Sequence, residues 1–437
     1  MKKIYFKNLN EYFNQEITIE GFVDNIRDLQ YVQFLIVRDT TGKVQITIEK
    51  NESNSKLNEI VSNMTIESTV KITGTLFENE KVKLNGMELI PSDIVVTSKC
   101  LDDLPLNYKD SKSALLDTRL NYRFLDLRSD KNILMFKVQT CLVNAMREFV
   151  LKNNFMEIHT PKIIGAASES GSDVFELNYF DRKAYLAQSP QFYKQMAMCS
   201  GFEKVFEVGP VFRAENSNSY RHSTEFTGFD IEMSHLDNLE ELMDFEEDLF
   251  VAVLSAVKEK YGNEIKEIFN VDVVVPTKPF PRIKLEELYK ELEKEYGFKM
   301  NYEDVGDMNS EAEKLAYKYI MEKYGHEFVF ITDFSVKKRP FYHKRVNGIP
   351  QGADLLWKGC ETTTLALREN RYDILCEQAR EKGLGEDVKF YLEFFKYGCP
   401  PHGGFAMGVD RVTMLLLETG TLKETMFLFR GPSRIEP

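Results

Sequence analysis

The stretch VFEVGPVFRAENSNSYRHSTEFTGFDIEM, residues 205–233, decides the fold of the second half of the chain. An apolar run at 205–209 leads into a loop rich in Arg, Asn and Ser, and a second apolar run follows at 229–233. Two apolar runs joined by a polar loop predict an antiparallel hairpin. The loop carries Arg213, Arg221 and His222, which can face a phosphate chain, although a solvated hairpin with surface ion pairs has the same residue types.

Two further segments carry residue types that bind nucleotides. PHGGFAMGVDR at 401–411 places glycines where a backbone can approach a ligand, although most such glycines only form tight turns. Asp354 and Glu361 flank a Gly turn and would hold Mg²⁺ from adjacent strands, but taken alone they are more often unrelated surface acids. No P-loop motif occurs, so the combination predicts phosphate chemistry by positioning and charge neutralisation.

The composition is that of a globular protein. The chain has 437 residues, 43% hydrophobic and 29% charged, with no apolar run long enough to span a bilayer and no apolar signal stretch at its start. Its six cysteines form no Cys-x-x-Cys pair, which argues against a zinc ribbon and predicts a cytoplasmic location. The net charge of −13 favours a small-molecule enzyme, although a basic patch can lie on an acidic protein.

Hydrophobic periodicity divides the chain into an all-β part and an α+β part. Residues 1–100 contain short β-branched runs that predict a five-stranded OB-fold barrel, with an SH3-like barrel as the alternative. Residues 101–130 are polar and aperiodic, which predicts a linker or hinge. Residues 131–437 mix helical and strand patterns and predict an α+β domain, with a helical insertion around 262–325.

Taken together, these segments resemble the class II aminoacyl-tRNA synthetases. FRAE at 212–215 is similar to motif 2, 403–411 to motif 3, and the helix ending in EIHTPK at 157–162 to motif 1, the dimer segment. QSPQFYKQ at 188–195 and GAASE at 165–169 resemble the aspartate enzymes of the archaeal and eukaryotic type. The resemblance covers nearly the whole chain. It implies an anticodon-binding OB-fold, an antiparallel catalytic sheet flanked by helices, a homodimer, and ligation of L-aspartate to tRNA(Asp) with ATP and Mg²⁺.

The resemblance also implies roles for single residues. Arg213 and Arg411 are expected to be catalytic. The expected ATP-binding residues are Arg213, Glu215, Arg221, His222, Phe226, Glu361, Gly408 and Arg411. The expected aspartate-binding residues are Glu169, Gln191, Lys194, Asp230, Thr364 and Arg368. Mg²⁺ is expected on Asp354, Glu361 and Thr364, and the tRNA anticodon at Arg27, Phe34 and Gln45.

Lys194 and Arg368 would neutralise the side-chain carboxylate of the substrate, which an amide could not match. Lys194 is the main reason for preferring aspartate to asparagine, because the resemblance implies that the asparagine enzymes lack a lysine in the string at 188–195. At Phe34 a core position is the strong alternative, because a phenylalanine in an apolar strand is more often buried than a stacking platform.

Two segments depart from the family pattern. ETTTLALR at 361–368 replaces Glu-x-x-Ser-Gly-Gly-Gln-Arg, and LFRGP at 428–432 replaces Phe-Pro-Arg-Asp-Pro. Leu365 and Ala366 thus stand where two glycines are usual beside the substrate. The alternatives are an asparaginyl-type enzyme, an aspartate-activating paralogue with a non-tRNA acceptor, and a non-catalytic tRNA-binding protein. Whether tRNA(Asn) is also charged stays open.

Overall fold

The chain folds into two compact units, Met1–Asn107 and Tyr108–Pro437. The computed structural model describes residues 3–110, 112–165, 173–300 and 306–436. Within these ranges, no helix combines the length and the apolar composition needed to cross a membrane.

In its described residues, the first unit is a closed barrel of strand order β1-β2-β3-β5-β4, in which β1 also pairs with β4. Its elements are β1 (Glu16–Asp28), β2 (Val32–Arg38), β3 (Lys43–Glu49), α1 (Ser55–Ser62), β4 (Thr69–Glu78) and β5 (Met87–Ser98). Alternate residues such as Leu35, Val37 and Ile46 are fully buried in the barrel core. The OB-fold prediction is confirmed.

The second unit contains the remaining helices and strands of the described chain. They are α2 (Leu116–Asn121), α3 (Arg123–Asp126), α4 (Asp130–Lys152), β6 (Met156–Glu157), β7 (Ile163–Ile164), β8 (Glu176–Tyr179), β9 (Arg182–Leu186), α5 (Gln191–Cys199), β10 (Lys204–Phe212), β11 (Glu225–Ser234), α6 (Leu239–Phe269), β12 (Arg282–Lys284), α7 (Leu285–Tyr296), α8 (Ser310–Tyr324), β13 (Phe328–Thr332), β14 (Arg345–Val346), β15 (Ile349–Pro350), β16 (Gly352–Trp357), β17 (Cys360–Leu367), α9 (Tyr372–Glu381), α10 (Lys389–Phe395), β18 (His402–Gly408), α11 (Val409–Leu417) and α12 (Leu422–Thr425).

A large sheet organises this unit, with strand order β12-β13-β16-β17-β18-β11-β10-β6 in the described residues. The inner strands pair antiparallel, as expected, and β10 and β11 form the predicted hairpin. The edge pairs β12–β13 and β10–β6 are parallel, so the sheet is mixed. Long connections join the strands of each parallel pair, with α7 and α8 between β12 and β13 and with β7, β8, β9 and α5 between β6 and β10, and such crossovers permit parallel pairing. The α+β class is confirmed.

Helix α6 covers one face of this sheet. Phe250 packs against Phe328 and Trp357, with ring centroids 5.1 and 6.1 Å away. Along β17, Thr363 points toward α6, where it bonds Glu246, and Thr364 lies on the opposite face. The face that α6 leaves uncovered is therefore the one that carries the polar residues of the central strands.

Part of the segment expected to be a linker, 101–130, is helical and belongs to the second unit. Arg119 and Arg123 of α2 and α3 are buried, and both pair with Asp126. Arg119 also pairs with Glu424 at 2.7 Å, near the other end of the chain. The segment is polar because its charged side chains form ion pairs inside the fold, not because it is an exposed hinge.

The segment expected to be a helical insertion, 262–325, contains the end of α6 together with β12, α7 and α8. Leu288 of α7 and Ala316 of α8 share a core cluster with Ile331 of β13. These helices therefore pack onto the edge of the main sheet.

We expect Arg123→Leu to lower the free energy of unfolding of the second unit by about 3–5 kcal/mol, as for other broken buried ion pairs. The guanidinium donates to the main-chain oxygens of Glu424 and Met426 at 2.7 and 2.8 Å, and the leucine would leave them and Asp126 short of donors. Urea unfolding followed by fluorescence of Trp357, the single tryptophan, reports on this unit alone.

Arg182→Leu is the control, because its side chain is 76% exposed and lies 3.7 Å from Asp181. It should change the unfolding free energy by less than about 0.5 kcal/mol. Equal effects of the two substitutions would contradict the structural role of Arg123.

Candidate active site

A cavity of about 310 Å³ lies on the uncovered face of the central strands. Many of the residues expected at the site line it, from α5, from the β10–β11 hairpin and its loop, and from β17, β18 and α11. They are Gln191, Lys194, Arg213, Glu215, Arg221, His222, Phe226, Asp230, Glu361, Thr364, Arg368, Gly408 and Arg411. Glu169 lies outside the described residues.

Local periodicity explains how these side chains meet. Gln191 and Lys194 are three residues apart on α5, so they share a helix face. Asp230 and Glu232 alternate on β11 and therefore point to the same side of the sheet. Arg368 follows the last residue of β17 and forms an isolated bridge with His343.

Four buried charges form one end of the cavity. The Nζ of Lys194 lies 3.3 Å from both Asp230 and Glu232. The Nε of Arg368 donates to Glu232 at 2.9 Å, and one Nη donates to the main-chain oxygen of Gly404 at 2.9 Å. The other nitrogen, Nη1, makes no hydrogen bond to any described residue. This end thus holds two cations and two carboxylates, with one guanidinium nitrogen left for a ligand.

The two carboxylates differ in electrostatics. Burial raises the pKa of Asp230, and Lys194 only partly opposes it. Burial also disfavours the charged form of Glu232, but Arg368 and Lys194 outweigh it and lower the pKa of that group. Glu232 is therefore the firmly ionised partner of both cations, and Asp230 is the more readily protonated acid.

The other end of the cavity brings together residue types that a base-binding slot requires. A side-chain carbon at Gly408 would lie 3.7 Å from both Phe226 and Arg411, so these two flank the glycine. Arg411 is held by hydrogen bonds to the main-chain oxygens of Glu361 and Arg221 at 2.8 and 3.2 Å. The slot combines an aromatic face, a planar guanidinium and a backbone without a side chain between them.

Arg213 lies beside this slot. Its guanidinium is 5.5 Å from the centroid of the Phe226 ring, and one nitrogen lies 4.0 Å from Glu215. Its Nε is buried without a hydrogen-bond partner among the described residues. An unpaired buried donor in a cavity is a ready contact for an anion.

Oxygen ligands converge at the cavity wall, where Glu361 and Thr364 line the cavity and Asp354, which does not, lies against Thr364. The Oγ1 of Thr364 lies 2.8 Å from Asp354 and 3.3 Å from Glu361. Burial raises the pKa of Asp354 to about 6 despite the neighbouring Arg339. Among the described residues no group of three or more His, Cys, Asp and Glu side chains is placed to bind a metal. Two carboxylates and a hydroxyl nevertheless suit Mg²⁺, which keeps waters and phosphate oxygens in its shell.

Two cavity residues have partners in the protein. The guanidinium of Arg221 donates to Glu313 and to Ser310 of α8, so it lies against that helix. The Nδ1 of His222 lies 2.5 Å from Ser219, and burial, with Arg411 nearby, lowers the pKa of its imidazole.

Several residues that line the cavity or lie directly behind its wall were not singled out from the sequence. Arg339 donates to Asp354 at 2.6 Å and supplies a cation beside the predicted metal ligands. Glu232 was missed although its alternation with Asp230 was readable. His343 is buried with Nδ1 unpartnered in the described structure, and nothing in its sequence neighbourhood indicated this.

The departure at 365–366 has a structural explanation. Leu365 faces away from the cavity and belongs to the main apolar core. Ala366 lies on the cavity side, paired across the sheet with Gly352 and Gly404. A side-chain carbon at Gly352 would lie 3.3 Å from the Ala366 methyl group, so the two glycines leave room for it. Neither Leu365 nor Ala366 is among the residues that line the cavity.

The residues predicted to read an anticodon lie in the barrel. Arg27 pairs with Phe34 across β1 and β2, whereas Gln45 on β3 is opposite Ile36, two residues further along β2. Phe34 is only half-buried, between the buried Gln33 and Leu35 on β2. Phe34 is not a member of the buried barrel core, and its role in reading an anticodon stays a prediction.

Comparison with known proteins identifies the family. A family described as tRNA synthetases class II (D, K and N) matches residues 115–430, and an OB-fold nucleic acid binding domain matches residues 17–97. The first match covers well over half of the chain. The chain belongs to the class II tRNA synthetases of this group.

Similar proteins are named for aspartate or asparagine. An aspartate–tRNA(Asp) ligase of Pyrococcus abyssi is 39% identical over 99% of both chains. An aspartate–tRNA(Asp/Asn) ligase of Aeropyrum pernix is 38% identical over 96% of this chain and 95% of that protein. An aspartyl tRNA synthetase structure from Entamoeba histolytica superposes with a TM-score of 0.87 at 31% identity, covering 100% of this chain and 93% of that one. An asparaginyl-tRNA synthetase of Pyrococcus horikoshii bound to asparaginyl-adenylate has a TM-score of 0.91 at 29% identity, with both chains fully covered.

Glu246 lies behind the cavity wall. Thr363 donates to its Oε1 at 2.5 Å, and its Oε2 has no partner in the described structure. Burial raises the pKa of this carboxyl to about 8, with smaller contributions from Asp354 and Glu247. The folded protein therefore holds a neutral glutamic acid there at neutral pH.

We expect Glu246→Gln to reduce the fall in the free energy of unfolding that occurs as the pH rises to alkaline values. Because the folded pKa of about 8 exceeds the ordinary 4.5, the folded state binds the proton more tightly, and the unfolding free energy falls as pH rises between these values. Glutamine stays neutral at every pH. From about pH 5 to pH 9, the difference in unfolding free energy between the variant and the wild type should therefore change in favour of the variant by on the order of 4 kcal/mol. Unfolding curves in EDTA at several pH values measure it. A constant difference across that range would contradict the raised pKa.

Proposed function

We propose that the chain is an aspartate–tRNA ligase, which activates L-aspartate with ATP and transfers it to tRNA(Asp). The buried pair Lys194 and Arg368 carries the proposal, because it supplies positive charge for the side-chain carboxylate of the amino acid. Arg368 has a guanidinium nitrogen, Nη1, that no described residue uses. An unused charged donor beside a second cation suits a carboxylate better than an amide.

In this proposal the other end of the cavity binds ATP. Adenine lies between Phe226 and Arg411, close to the backbone of Gly408, and Glu215 accepts from its amino group. Arg213 contacts the α-phosphate through its guanidinium, whose Nε has no hydrogen-bond partner among the described residues. His222 contacts the outer phosphates, and Arg221 reaches them only by leaving Glu313.

Mg²⁺ fits the oxygen ligands Asp354, Glu361 and Thr364. The bound ion would supply charge neutralisation for the ATP phosphates. Arg339 holds one oxygen of Asp354 in place from the other side.

The residues of the chain act mainly by positioning. Gln191 and Asp230 hold the α-ammonium group, with Glu169 as a third ligand. The α-carboxylate oxygen of aspartate forms a bond to the α-phosphorus of ATP as the bond to pyrophosphate breaks. Arg213 neutralises the charge that develops on the phosphate oxygens, and Arg411 fixes the nucleotide. A tRNA ribose hydroxyl then attacks the activated carbonyl, and AMP leaves.

The barrel is assigned to the anticodon. The half-buried Phe34 offers a ring on which an unpaired base can stack, with Arg27 opposite it on β1 and Gln45 on β3. This surface favours a tRNA ligase over a paralogue with a non-tRNA acceptor. Charging of tRNA(Asp) alone and charging of both tRNA(Asp) and tRNA(Asn) are the two finer forms of this proposal.

ATP–pyrophosphate exchange with each of the twenty amino acids tests the function. Aspartate should support the fastest exchange. Preference for asparagine would assign the chain to the asparagine enzymes, and exchange with no amino acid would favour the non-catalytic alternative.

We expect Lys194→Leu to lower kcat/KM for aspartate by at least about a hundredfold, since an unpaired buried charge costs about 3–5 kcal/mol. The KM for ATP should not change, because the lysine lies at the amino-acid end of the cavity. Lys204→Leu is the control, because this lysine begins β10 and its Nζ is directed to the main chain of Asn153. A similar loss in both variants would remove Lys194 from substrate recognition.

We expect the protein to be a dimer through α4 and the segment around Pro161. Leu151, Met156 and Ile163 are 53, 48 and 49% exposed near this segment, which leaves apolar surface for a second copy. Light scattering at micromolar concentration should give twice the chain mass of 50.8 kDa. A single species at the chain mass itself would contradict the interface.

A further inference from the structure

A chain of hydrogen bonds runs beneath the amino-acid end of the cavity. Gln191 lines the cavity, and its Nε2 donates to the Oε1 of Gln195 at 2.8 Å, one helical turn along α5. The amide nitrogen of Gln191 is thus engaged below, and its carbonyl oxygen is the group left for a ligand. Gln195 itself is fully buried and does not line the cavity.

Gln195 is held in one orientation by its other partners. Its Oε1 also accepts from the hydroxyl of Tyr391 at 3.1 Å, and its Nε2 lies 3.0 Å from the Nε2 of His402. An amide nitrogen only donates, so the ring nitrogen of His402 must accept.

The tautomer of His402 makes that acceptor available. Its Nδ1 lies 2.8 Å from the main-chain oxygen of Pro400, which can only accept, so Nδ1 carries the hydrogen. Burial lowers the pKa of the ring and favours this neutral form. The position of one hydrogen on His402 therefore determines which end of the Gln195 amide faces Gln191.

We propose that His402 is a positioning residue that, through Gln195, presents the carbonyl oxygen of Gln191 to the α-ammonium group of the bound amino acid. The inference rests on the proposed function. With a hydrogen on Nε2 instead, Gln195 would reverse, and Gln191 would reverse in turn. The amide NH₂ of Gln191 would then face the ammonium group, and both would be donors.

This arrangement separates recognition of the ammonium group from recognition of the side-chain carboxylate. Lys194 and Arg368 do not take part in the chain of amides. Loss of the His402 acceptor should therefore weaken the binding of ligands that carry an ammonium group and leave the binding of ligands without one unchanged. Succinate, which is aspartate without its amino group, is the matched probe.

His402→Leu should raise the KM for aspartate in ATP–pyrophosphate exchange at least about tenfold, as expected when a hydrogen bond to a charged group is lost. The inhibition constant of succinate and the KM for ATP should stay at their wild-type values. If His402 serves only in packing, where its ring stacks on Phe395, the substitution would instead weaken the binding of aspartate and of succinate together.

Two variants of Gln195 test the hydrogen-bond chain from His402 to Gln191 independently. They also cover the case in which His402→Leu does not fold. Gln195→Met removes the link and should reproduce the selective loss of aspartate. In Gln195→Glu, the introduced carboxylate only accepts hydrogen bonds, so it keeps Gln191 in the same orientation. A protonated His402 balances the negative charge of this carboxylate. The glutamate variant should retain aspartate binding far better than the methionine variant, and equal losses in the two would overturn the proposal.

His326→Leu is the control for loss of a buried histidine. Its ring nitrogens lie 2.8 and 3.1 Å from the main-chain oxygens of Phe328 and Thr277, and it does not line the cavity. Neither aspartate nor succinate should be affected. If the wild type activates another amino acid, the proposed function fails, and the same comparison with that amino acid and its deamino analogue still tests the role of His402.

Discussion

The ion pairs of Glu232 with Lys194 and Arg368 are the interaction on which the amino-acid end of the site depends. Glu232 has no exposed surface, and a buried carboxylate is stable only when it is paired and hydrogen-bonded. The partners come from α5 and from the end of β17, and Arg368 also bonds β18 through Gly404. One buried charge thus fixes the relative positions of a helix and three strands of the central sheet.

The same constraint explains why the site can select an acidic amino acid. The two cations are held by protein carboxylates, so they are neither expelled to solvent nor left repelling each other before substrate arrives. Ala366 pairs with Gly352 and Gly404 across the sheet, and Arg368, two residues further on, bonds Glu232.

Sequence reasoning gave the hairpin, the barrel and many of the residues that line the cavity, because these depend on local periodicity and on short motifs. It did not give the partners of those residues. Arg221 was assigned to ATP on its motif alone, and its contact with Glu313 joins positions 92 residues apart. The buried helices within 101–130 were read as a linker, since the partner of Arg119 lies at Glu424. Such long-range pairings follow from the fold and leave no local pattern.

The position of a bound ligand tests the account most directly. A crystal structure with a non-hydrolysable aspartyl-adenylate analogue should place the side-chain carboxylate within about 3 Å of Arg368 Nη1 and Lys194 Nζ, the spacing of a charge-assisted hydrogen bond. Adenine should lie between Phe226 and Arg411 in the same structure. A side-chain carboxylate bound elsewhere, with both cations contacting only Glu232 and Asp230, would contradict the assignment of this cluster to aspartate.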